Sequence, residues 1–67
     1  MIKEAIQLLI ERKELPFDVA QQSMREIMGG EATPAQIGAF LTSLRMKGET
    51  VEEITAFALV MRENVLG

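Results

Sequence analysis

Carboxylates at close spacing are where chemistry would first be sought in this chain: Glu52 beside Glu53, and Glu11 three residues before Glu14. Two acids can divide acid and base roles only when their surroundings hold their proton affinities apart. Glu52 and Glu53 stand where a helix is expected to begin, and negative charge there complements the helix dipole. That structural role accounts for them, and Glu11 with Glu14 reads as a solvated face. Nucleophilic catalysis has no pair to use: the 67 residues include no cysteine and no histidine, and Ser23 and Ser43 fall within helical stretches beside ordinary neighbours. The same absence rules out a Cys/His metal site and any disulfide. Gly29-Gly30 offers a pair of glycines, but a phosphate loop feeds a helix N-terminus from a strand, whereas these follow a helical stretch and read as its stop. Arg45 and Lys47 sit near a helix end, where positive charge complements the dipole. A second reading has them face an anionic ligand held by another domain. The sequence therefore predicts no catalytic, cofactor-binding or metal-ligating residue in this chain.

The elements that would carry such residues are helices throughout. Thr33, Pro34 and Gln36 give a cap, a first-turn proline and the third-position glutamine of a capping box. Gly48 suits a helix stop, and Thr50 with Glu53 repeats the capping box just behind it. Four helices are predicted: about Ile2 to Lys13, from Pro16 or Phe17 to Met28, Pro34 to Lys47, and Val51 to Leu66. At ~100° per residue, Ile2, Ile6, Leu9 and Ile10 share one face of the first. Phe17, Ala20, Met24, Ile27 and Met28 do so on the second, and Ile37, Phe40, Leu41 and Leu44 on the third. On the fourth the expected core stripe is Val51, Ile54, Phe57, Ala58, Met61 and Val65. No stretch alternates apolar and polar residues as a half-buried strand would. The loops are short, so consecutive helices should pack as neighbours. The expected fold is all-α, a small bundle of four short helices in a single domain.

The third helix is apolar on two sides. Opposite its bulky stripe lie Ala35, Ala39, Thr42 and Met46. Such a helix is usually held between two surfaces, and small residues beside an adaptable methionine suit the close approach of a partner. Leu8 on the first helix, and Ala56, Leu59 and Val60 on the fourth, lie off their expected core stripes. Ala35, Ala39, Thr42, Met46, Leu8 and Leu59 are accordingly the expected interface residues.

Composition narrows the partners. Lys and Arg number seven against ten acids, a net charge of −3, and the bases are scattered rather than aligned. A phosphate backbone has no basic stripe to follow, and with no Trp or Tyr and three Phe there is no base-stacking platform. No apolar run approaches the roughly 18 residues of a membrane span, and the N-terminus lacks a signal-peptide layout. The expectation is a soluble cytoplasmic protein that binds neither nucleic acid nor membrane. A chain this short without staples gains much from association.

Two stretches resemble a known family: Gly30-Glu31-Ala32-Thr33-Pro34-Ala35-Gln36-Ile37-Gly38-Ala39-Phe40-Leu41 and Leu44-Arg45-Met46-Lys47-Gly48-Glu49-Thr50, with Glu52-Glu53-Ile54, Ala58 and Met61-Arg62-Glu63 beyond. They are similar to the N-terminal helical domain of the anthranilate phosphoribosyltransferase family, across essentially the whole chain. Pyrimidine nucleoside phosphorylases share that domain in outline but typically differ around Thr33-Pro34-Ala35-Gln36 and Leu44-Arg45-Met46-Lys47. The resemblance implies a parent enzyme that transfers phosphoribose from phosphoribosyl pyrophosphate to anthranilate with magnesium, in tryptophan biosynthesis. It further implies a homodimer joined through the helical domains, and a large α/β catalytic domain that would bind substrate against them. No catalytic residue of the family has a counterpart here, so the chain reads as a fragment that is inactive alone. A stand-alone helical interaction module, or the equivalent domain of a nucleoside phosphorylase, remains open on the residues themselves.

Overall fold

The computed structural model describes residues 1–65, which form four helices: α1 (Ile2–Ile10), α2 (Phe17–Met28), α3 (Pro34–Lys47) and α4 (Val51–Glu63). No strand occurs among the described residues. α1 packs on α3, α2 on α4, and α1 on α2; of the consecutive pairs expected as neighbours, α2–α3 and α3–α4 make little direct packing among the described residues. Both capping boxes form as expected. Thr33 Oγ1 accepts from Gln36 N–H at 3.1 Å while Gln36 Oε1 accepts from Thr33 N–H at 3.0 Å. Thr50 Oγ1 accepts from Glu53 N–H at 3.1 Å, and Glu53 Oε1 from Thr50 N–H at 2.9 Å. Each exchange satisfies two of the donors that a helix start leaves open.

The first helix stops earlier than its sequence suggests, at Ile10 rather than Lys13. Its end is a Schellman turn: Lys13 N–H donates to the Leu8 carbonyl at 2.9 Å, and Arg12 N–H to that of Leu9 at 3.0 Å. The left-handed position in that turn is Arg12, at φ 62°. A glycine would have announced the stop, as Gly30 (φ 77°) does after α2 and Gly48 (φ 91°) after α3. The fourth helix ends at Glu63, followed by a turn at Asn64 and Val65. Its expected end at Leu66 lies outside the described residues.

The core gathers Ile2, Ala5 and Leu9 of α1, Leu15 of the loop, Ala20 and Met24 of α2, Phe40 and Leu44 of α3, and Ala56, Phe57 and Val60 of α4. Phe40 and Phe57 meet edge to face, ring centres 5.9 Å apart at 72°, and join the α3 and α4 sides. α4 therefore turns a different face inward than its bulky residues suggest. Ala56 and Val60, expected outside, are buried, whereas Val51, Ile54, Ala58, Met61 and Val65, expected inside, are exposed. The reason is Glu53, fully buried at the head of the helix, which with Ala56, Phe57 and Val60 completes an i, i+3, i+4, i+7 stripe. Smaller departures occur elsewhere: Ile10, Phe17, Met28 and Leu41 are exposed although their stripes are otherwise wholly or partly buried. Among the described residues no helix is long and apolar enough to cross a membrane.

Ser23 is buried on α2 with its hydroxyl unpartnered among the described residues. Replacing Ser23 by Ala removes an unsatisfied polar group, and urea unfolding is expected to show a gain of about 1 kcal/mol. Arg12→Gly relieves the left-handed backbone and is expected to add about 1 kcal/mol by the same assay. A loss of stability in either variant contradicts the corresponding argument.

Candidate functional site

Two features stand out from the packed helices: an outward face on α3, and a buried carboxylate behind it. Ala35, Ala39, Thr42 and Met46 are all exposed along one side of α3, with Met46 at 69% exposure. Beside Met46 a shallow cleft of about 160 Å³ opens between the C-terminal ends of α1 and α3. Leu9, Ile10 and Arg12 line one wall, and Ser43, Met46 and Lys47 the other. Ile10, expected in the core, is 62% exposed and joins Met46 to give the cleft an apolar rim. The Ser43 hydroxyl is turned back onto the helix, donating to the Ala39 carbonyl at 2.6 Å.

The other expected interface residues divide. Leu8 is half-buried and packs against the core. Leu59 is exposed on α4, which packs on α2, whereas the α3 face belongs to the α1–α3 side. Ser43 and Lys47 flank Met46 on α3 itself; sequence reasoning missed Ile10 and Arg12 as its neighbours, because they come from the end of another helix, whose stop at Arg12 carries no glycine.

Behind the cleft lies Glu53. Its Oε2 accepts from Leu15 N–H at 2.7 Å; its Oε1 accepts from Thr50 N–H and from Lys47 Nζ, each at 2.9 Å. The Lys47 side chain is itself only 7% exposed and also donates to the Gly48 carbonyl at 2.6 Å. One carboxylate thus ties the α1–α2 loop, the end of α3 and the start of α4. Burial pushes its proton affinity up, but the Leu15 and Thr50 amides and the Lys47 ammonium together hold the carboxyl below its ordinary value. Chemically this is a structural charge, satisfied from three sides, and it is not poised to move a proton. Arg25 and Glu63 form the corresponding link between α2 and α4, with Arg25 Nη2 2.9 Å from Glu63 Oε2, but in the open, where such pairs contribute little.

Among the described residues no three acidic side chains converge where a metal ion would sit. What the arrangement comprises is an apolar-rimmed cleft, a face of small residues on α3, and a buried carboxylate bonded to the loop after α1 and to Lys47.

Comparison with known proteins agrees with the helical pattern. Residues 3–65 match the model of the helical bundle domain of a glycosyl transferase family. Relatives named anthranilate phosphoribosyltransferase are similar over nearly all of the chain. The one from Pelobacter propionicus is 59% identical over 64 residues, which is 96% of this chain and 18% of that enzyme. The one from Lachnoclostridium phytofermentans is 56% identical over 64 residues, 96% of this chain and 19% of that enzyme. The one from a Marinomonas species is 62% identical over 61 residues, 91% of this chain and 18% of that enzyme. The chain spans about a fifth of the length of these relatives.

The clamp sets a pH dependence. The folded-state value of Glu53 lies below the ordinary 4.5, so its stabilising contribution is present above that pH and is lost as pH falls through the folded value. Glu53→Gln leaves Lys47 without its counter-charge and is expected to cost about 3 kcal/mol at neutral pH by urea unfolding. It should also flatten the acid limb of the stability profile. An acid limb identical to that of the unaltered chain contradicts the assignment.

Proposed function

Because the chain belongs to the glycosyl transferase family through its helical bundle domain, we propose that it serves as the N-terminal helical part of an anthranilate phosphoribosyltransferase. The observation that carries this reading is 56–62% identity over nine-tenths or more of the chain to relatives bearing that one name. The same relatives favour this branch over the nucleoside phosphorylases. The parent would transfer phosphoribose from phosphoribosyl pyrophosphate to the amine of anthranilate, as a cytoplasmic enzyme of tryptophan biosynthesis. Residues 1–67 would supply two things to it: a surface for homodimerisation, and one wall of the cleft in which the catalytic domain holds the substrate.

The α3 face supports the first role. Ala35, Ala39 and Thr42 are small and exposed, so a second helix could approach closely, and Met46 can adapt to the partner's surface. The chemistry of the transfer lies elsewhere. Phosphoryl-rich substrates need a preorganised set of donors and usually a metal. The described residues offer neither a convergent acidic set nor a glycine loop at a helix start. No magnesium ligand is assigned to this chain, which should be inactive alone.

A chimera tests the reading. Residues 1–67 replace the matching segment of the Pelobacter propionicus enzyme, and anthranilate consumption is followed with phosphoribosyl pyrophosphate. Retained turnover is the expected result; a folded chimera that is inactive overturns the assignment, as would turnover by the 67-residue chain alone. In light scattering across a concentration series, the unaltered chain should reach dimer mass and Met46→Asp should return it to monomer. A dimer indifferent to Met46→Asp places the interface elsewhere.

A further inference from the structure

We draw no further inference here: the strongest candidate, the outward apolar face of α4 formed by Val51, Ile54, Ala58 and Met61, is an unpartnered surface patch, and nothing in the structure shows what covers it.

Discussion

A single buried carboxylate holds this bundle together at the point where three segments meet. Taking a charge out of water is costly, and the arrangement survives only because every side of the group is answered. Glu53 accepts from two backbone amides, Leu15 and Thr50, and from the Lys47 ammonium. Partial satisfaction would be worse than an apolar core. The interaction therefore acts as a condition on the fold: the start of α4, the end of α3 and the loop after α1 must arrive together or the charge is stranded. In a chain with no disulfide and a small core, stranding that charge by losing one partner would cost a large fraction of the stability.

Most of the architecture is legible in the residues because it is local. Thr33-Pro34 with Gln36, Gly48, and Thr50 with Glu53 each fix a boundary through bonds made within a few residues. What escaped is what depends on distant segments. The stop at Ile10 is made by a Schellman turn with arginine in the glycine position, tolerated because Leu15 and Glu53 hold the loop beyond it. The inward face of α4 is a second case. Its sequence carries two apolar stripes, and the bulkier one, Val51, Ile54, Ala58 and Met61, looks like core by size alone. The lighter stripe is inside because Glu53 is anchored 38 residues back along the chain, at Leu15.

The candidate site was half legible for the same reason. The small-residue side of α3 could be found by angular placement alone, and all four of its residues are exposed. Its companions in the cleft, Ile10 and Arg12, belong to another helix end and became neighbours only through tertiary packing. The division of labour proposed for the parent enzyme fits this economy.

Hydrogen exchange at the Leu15 amide tests the central claim most directly. Leu15 lies in a loop, where amides ordinarily exchange through small local openings. If Glu53 is the tie on which the bundle depends, that amide exchanges as slowly as those of Phe40, Leu44 and Phe57 in the helices, only through global unfolding. Rapid exchange of Leu15, with the helical amides still protected, would show that the loop opens freely and that the clamp does not hold the fold.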